Sequence, residues 1–176
     1  MNTRQNTTLP GLLGLHHVAI LCSDYPRAKH FYVNILGLHP LNEQYRAERD
    51  SWKLDLALPD GSQLELFSFP EPPPRPSYPE ACGLRHLALA VTDLQAAIAY
   101  LNAQGVPTET PRLDQGTGRW FTFFADPDGL PLELYENMEK LGRPFSGDNS
   151  RFPTLPSVSR ESSPEPTPRP ASPLPL

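Results

Sequence analysis

Gly14-Leu15-His16-His17-Val18-Ala19 and, sixty-nine residues later, Gly83-Leu84-Arg85-His86-Leu87-Ala88 are two copies of one short apolar stretch, and they align His17 with His86. Further on, Pro59-Asp60-Gly61 followed by Leu64-Glu65-Leu66 returns as Pro127-Asp128-Gly129 followed by Leu132-Glu133-Leu134, displaced by sixty-eight, which aligns Glu65 with Glu133. One deleted residue reconciles the two displacements. The chain is a tandem repeat, and each copy offers one His near its start and one Glu near its end.

Within each copy the hydrophobic period switches in the same order. Leu15 to Leu21 is a short apolar run with β-branched Val18 and Ile20, which predicts a buried strand. Ser23-Asp24 supplies a helix cap and Pro26 suits a first helical turn. Ala28, Phe31, Tyr32, Ile35 and Leu36 then recur at helical spacing until Gly37, so the helix spans about Tyr25 to Leu36. Three strands are predicted after it, over 38–46, 52–58 and 63–69, the last two joined by the Pro59-Asp60-Gly61 turn. The second copy predicts a strand over 84–91, a cap at Thr92-Asp93, a helix over 94–104 stopped by Gly105, and strands over 108–113, 120–125 and 130–135. The fold class is α+β, two tandem βαβββ modules.

Around this core the composition changes. The chain has 23 prolines in 176 residues, and nine of them fall between Pro144 and Pro175. That Pro/Ser-rich segment holds too few apolar residues to repay the entropy of ordering, so 138–176 is expected to be a disordered tail. Residues 1–11 are expected to be a flexible N-terminus. Pro70-Glu71-Pro72-Pro73-Pro74-Arg75-Pro76 continues neither strand nor helix and reads as a stiff linker, 70–82, between module one (12–69) and module two (83–137).

A formal charge of −5 without a basic stripe excludes nucleic acid and anionic membrane as expected partners. No apolar run approaches the ~20 residues of a membrane helix, and Met1-Asn2-Thr3-Arg4-Gln5 lacks a signal-peptide core, so a cytoplasmic location is expected. Cys22 and Cys82 have no CxxC spacing; both read as buried thiols in a reducing compartment.

His-His-Val-Ala-Ile (16–20), the helix end Phe31-Tyr32 to Leu36-Gly37-Leu38, Leu84-Arg85-His86-Leu87-Ala88, and Asp126-Pro127-Asp128-Gly129 through Glu133 resemble the vicinal oxygen chelate superfamily. That superfamily includes glyoxalase I, bleomycin-resistance proteins and extradiol dioxygenases. The resemblance covers about residues 12 to 137 and implies two modules forming a cupped, open β-barrel around a divalent metal. Asp50-Ser51-Trp52-Lys53, Leu66 to Pro70 and Pro79-Glu80-Ala81-Cys82-Gly83 look most like the YaeR-type glyoxalase-related bacterial proteins.

Carried over residue by residue, the family's ligand positions fall on His17, Glu65, His86 and Glu133. Imidazole nitrogen with carboxylate oxygen suits one divalent ion, Ni, Zn, Co, Mn or Fe, and four such ligands on an octahedral ion leave two positions for adjacent substrate oxygens. Glu in an otherwise apolar strand is costly unless paired or bound to a cation, which strengthens the assignment. His16 points to the opposite face from His17 and is not expected to be a ligand.

A His/Glu/His/Glu set resembles that of glyoxalase I, and it implies a metal-dependent lyase or isomerase acting on a small molecule through an enediolate or enolate. Glu133 or Glu65 would move the proton. Where bacterial glyoxalase I carries an arginine and an asparagine to hold glutathione, this chain has Leu21 and Phe69. Glutathione-hemithioacetal isomerisation is therefore one candidate within a broader lyase, isomerase or epimerase reading. The alternatives are a non-catalytic drug-sequestering protein and an extradiol-type dioxygenase. Modules of this family often pair across subunits, so the site belongs either within one chain or at a homodimer interface.

Lys53, Arg112 and Arg119 are further candidates, to face the cup and neutralise an anionic substrate, with Trp52, Trp120, Phe69, Phe121 and Phe123 as an apolar wall. Glu109 and Glu136 read as exposed strand-end charges.

Overall fold

The structure is a computed structural model that describes residues 11–76 and 82–137. The expected tail, most of the N-terminal segment and part of the linker lie outside the described residues. Each module is one four-stranded mixed sheet. The first contains β1 (His17–Cys22), β2 (His39–Arg46), β3 (Ser51–Ala57) and β4 (Gln63–Ser68), in the spatial order β1-β4-β3-β2. The second contains β5 (Leu87–Val91), β6 (Arg112–Leu113), β7 (Trp120–Ala125) and β8 (Pro131–Glu136), in the equivalent order β5-β8-β7-β6. In both, the first strand runs parallel to the last and the remaining pairs are antiparallel. The tandem βαβββ reading holds element by element.

Alternation along the strands fixes the two faces of each sheet. In β3 and β4 the side chains of Leu54, Leu56, Leu64 and Leu66 are buried, as are Phe124, Leu132 and Leu134 in β7 and β8. These residues join Ala28, Phe31 and Tyr32 of the first helix and Leu94 and Leu101 of the second in one core. The opposite parity carries Lys53, Asp55, Glu65 and Phe67 in the first sheet and Phe121, Phe123, Glu133 and Tyr135 in the second. Period-two alternation thus puts both glutamates on the face away from the helices.

The helices differ in a way that accounts for the change of displacement between the repeats. The second, α2 (Leu94–Ala103), is regular, and eleven residues lie between its cap Asp93 and Gly105. The first begins as α1 (Tyr25–Lys29) and continues from His30 to Ile35 as a π-helix, with twelve residues between cap Asp24 and Gly37. A single extra residue in a helix is absorbed as a widened π turn. The inserted residue is therefore here, and both spacings end on a glycine at positive φ, 72° at Gly37 and 76° at Gly105, as left-handed C-caps require.

Module two also holds the start of module one's helix. Ser23 N–H donates to Asp128 at 2.9 Å, its hydroxyl bonds the same carboxylate, and Arg27 donates to the Pro127 carbonyl at 2.8 Å. Deeper in, the buried Tyr32 hydroxyl donates to Asp126 at 2.9 Å. Burial above all pushes the Tyr32 phenol upward, so its hydroxyl keeps its proton to donate, and burial likewise raises the Asp126 carboxyl.

Two expectations need correction. The strand expected over 108–113 shortens to Arg112–Leu113, because Pro107 and Pro111 have no N–H to donate; Glu109 keeps a single ladder bond to Phe123 at 2.8 Å. Between the strands expected over 38–46 and 52–58, Ala47–Arg49 forms a 3₁₀ turn. Cys82 is exposed, since it leaves the linker before β5 begins, whereas Cys22 is buried as expected. No helix among the described residues is long and apolar enough to cross a membrane.

Candidate functional site

His17 stands at the start of β1, and Glu65 lies on the neighbouring β4, where Ala19 is its register partner. His86 sits one residue before β5, and Glu133 lies on β8 opposite Ala88. The parallel pairing that opens and closes each module therefore sets one His beside one Glu, twice. His17 Nε2 is 3.6 Å from Glu65 Oε2, and His86 Nε2 is 3.0 Å from Glu133 Oε2. Two ligands on one ion, each ~2.1 Å away, would stand ~3.0 Å apart at right angles and ~3.4 Å apart at a tetrahedral angle, so the second pair has the spacing of neighbouring ligands and the first is slightly wider. No three His, Cys, Asp or Glu side chains among the described residues are grouped so as to share an ion. One chain brings its four candidates together in twos.

The surroundings of the two pairs differ. Lys53 reaches Asp55 at 2.7 Å and Glu65 at 2.9 Å, and these hydrogen bonds, with Asp55 first, hold its ammonium above the ordinary lysine range. At the positions equivalent to Lys53 and Asp55, module two has Phe121 and Phe123. His86 meets the Phe123 ring edge to face at 5.2 Å, and its Nδ1 is buried without a hydrogen-bond partner. His17 instead has His16 beside it, with the two Nδ1 atoms 2.9 Å apart.

The other candidates divide. Lys53, Phe121 and Phe123 share the glutamate faces. Arg112 lies over the Phe121 and Phe123 rings, 5.3 Å from each centroid. Phe69 stacks on Phe67 under Arg46, a residue the sequence did not single out. Trp52 is on the opposite parity from Lys53 and stacks on Tyr25 at 5.2 Å, so it is not brought to Glu65. Trp120 likewise takes the parity of buried Thr122 and Phe124, and Arg119 lies in the loop before β7. Glu109 is more than a strand-end charge: it pairs with Arg112 at 2.8 Å. Asp55 was also missed; its only sequence signal was an acidic residue at the strand phase set by Glu65. Cys22 is no nucleophile, since burial above all pushes its thiol up to about 12.

The sequence profile described as Glyoxalase/Bleomycin resistance protein/Dioxygenase superfamily matches residues 14–134. The chain belongs to that superfamily. It is 59% identical over 126 residues to the uncharacterized protein YaeR of Escherichia coli (strain K12), across 72% of this chain and 98% of the relative. It is 31% identical over 148 residues to a 2-epi-5-epi-valiolone epimerase of Actinomyces sp, across 72% and 80% of the two chains. A crystal structure of the glyoxalase family protein from Enterococcus faecalis superposes with a TM-score of 0.66 at 53% identity, over 70% of this chain and 97% of that one. The chain is also 24% identical over 124 residues to a probable lactoylglutathione lyase of Vibrio cholerae, across 70% of this chain and 90% of the relative, and the YaeR resemblance read from the motifs is borne out.

Proposed function

We propose that this chain is a divalent-metal-dependent lyase or isomerase that moves a proton next to a carbonyl in a small substrate, with His17, Glu65, His86 and Glu133 as the metal ligands. The observation that carries the reading is the duplicated His–Glu pair, set on equivalent strands and, in module two, spaced as neighbouring ligands. Similarity to an epimerase supports isomerase chemistry over the extradiol dioxygenase alternative, as does Glu rather than His at position 65. A bound ion would supply a Lewis acid that stabilises negative charge developing on substrate oxygen.

The protein's own groups divide the remaining work. Glu65 is tied to Lys53, which anchors it. Among the described residues Glu133 has no such cation; it lies 3.0 Å from His86 and borders the aromatic wall of Phe121 and Phe123, which keeps water off it. We assign the proton transfer to Glu133. Because one chain gathers ligands only in twos, we propose that a second copy supplies the complementary pair. The edge strands β1 and β5 favour this: unpaired edges invite pairing, and the neighbouring Leu15, Leu21 and Leu84 are 69%, 48% and 47% exposed.

Elemental analysis of the untagged protein and of Glu133→Gln tests the proposal. The expected result is about one divalent ion per chain, lost together with turnover in the variant. A fully metallated, fully active variant would overturn it, and so would a wild-type protein that takes up none of Ni, Co, Zn, Mn or Fe(II).

A further inference from the structure

Beside the His86–Glu133 pair lies a cavity of about 550 Å³ whose lining includes Arg75, Arg85, His86, Glu109, Arg112 and Phe123. That volume is within the range that small-molecule sites occupy. Three arginines line it against one glutamate, in a chain whose formal charge is −5. An acidic protein has concentrated positive charge in one concavity, where low-dielectric walls strengthen its pull on an anion.

Two of the three arginines are held by bonds that fix their planes. Arg112 lies over the Phe121 and Phe123 rings, 5.3 Å from each centroid, and is braced by Glu109 at 2.8 Å. Arg75 arrives from the proline-rich linker and donates from one terminal nitrogen to the carbonyl oxygens of Leu84 and Arg85. The linker therefore serves as a wall of this cavity as well as a spacer. A guanidinium has five N–H donors in a rigid fork, so these bonds leave donors for a ligand. His86 Nδ1, buried without a hydrogen-bond partner, belongs to the same cavity lining.

We propose that this cavity is an anion-recognition site: Arg112 and Arg75 receive the carboxylate or phosphate group of the small molecule on which the chain acts. The inference rests on the proposed function for calling that molecule a substrate; the anion site itself involves no metal. It gives the substrate two ends, an oxygen-bearing end at Glu133 and an anionic end at the arginines. Planar, doubly hydrogen-bonded recognition of such groups is what arginine provides and lysine does not.

The test uses the full chain with all metal removed by a chelator, titrated calorimetrically with inorganic phosphate, with malonate and with glycerol as a neutral control. Saturable binding of phosphate or malonate is expected, weakened at least ~10-fold in Arg112→Gln and in Arg75→Gln, as loss of a charge-assisted bond implies. Arg49→Gln, which removes the same charge from the 3₁₀ turn of module one, should bind like wild type, and matched thermal midpoints without ligand establish that the variants fold. Phosphate alone binding assigns a phosphorylated substrate, and malonate alone a carboxylated one. No saturable binding of either anion, equal binding of glycerol, or unchanged affinity in both cavity variants overturns the proposal. With metal absent throughout, that failure leaves the metal reading untouched. Anion binding by a protein that takes up no metal would instead retire the metal reading and keep this one.

Discussion

The two modules share a fold and a His–Glu pair, yet they clothe that pair in opposite chemistry. Around Glu65 stand Lys53 and Asp55; around Glu133, at equivalent register positions, stand Phe121 and Phe123. The contrast extends to the helix side. Tyr25 and Lys29 both bond Glu43 in module one, at 2.8 Å and at 2.6 to 2.8 Å, while the equivalent positions of module two are Leu94, Ile98 and Pro111. After duplication, the fold and the candidate ligands stayed constant while the side chains at these positions diverged. That is what a site needs when the two ends of its ligand differ.

The largest effect tests whether the two halves meet within a chain or across chains. Each of two double variants, His17→Ala/Glu65→Gln and His86→Ala/Glu133→Gln, should lose its metal alone. Unfolded and refolded together, they should regain about a quarter of the wild-type metal if sites span two chains, since half the dimers are mixed and each mixed dimer has one intact site of two. Elemental analysis reads this directly, and no recovery at all would mean that each chain completes its own site.

The next effects set the aromatic surroundings against the charged ones. Phe123→Ala should cost about 2 kcal/mol in urea denaturation, less than a fully buried Phe because the ring is half-exposed. Lys53→Met should cost only about 1 kcal/mol, because it leaves Asp55 and Glu65 facing each other without their cation. Its effect on metal should have the opposite sign: removing a positive charge 2.9 Å from Glu65 should improve metal uptake at limiting concentration. Weaker uptake would show that Lys53 orients the ligand rather than competing for it.

The smallest effect is the pH dependence of the charged helix side. The Lys29 hydrogen bond above all, then that of Tyr25, holds Glu43 below the ordinary carboxylate range. A carboxyl depressed in the folded state contributes stability above its unfolded pKa and loses it as pH falls through the folded value. Thermal midpoints of Glu43→Gln should therefore fall less than those of wild type on acidification below about pH 4.5, with the difference shrinking in high salt. At the equivalent positions of module two, Leu94, Ile98 and Pro111 carry no charge to lose.

How much of this was legible varied with what the residues constrain. The repeat of His, turn and Glu fixed the order of elements, because a duplicated period admits few other readings. The pairing of each His with its Glu followed from the parallel β1–β4 and β5–β8 ladders. Strand phase was harder: Trp52 suited an apolar wall by type, yet alternation puts it opposite Lys53, and only the phase shared with Glu65 decides between them. Arg75 was missed for another reason. Proline-rich composition marks where strand and helix stop but carries no information about where an embedded side chain reaches. The π segment was visible only as a mismatch of one residue in the repeat, which the Asp24/Asp93 caps and Gly37/Gly105 stops confine to the helix without saying where in it the turn widens.

That widened turn also bears on ancestry. A half-length forebear of this protein, one module acting as a homomeric assembly, would have needed a single helix design for both of its positions. The second module has the regular version, eleven residues between cap and glycine, and the first has twelve. One copy has therefore gained or lost a residue since the two parted, and relatives can be sorted by which spacing each of their modules carries.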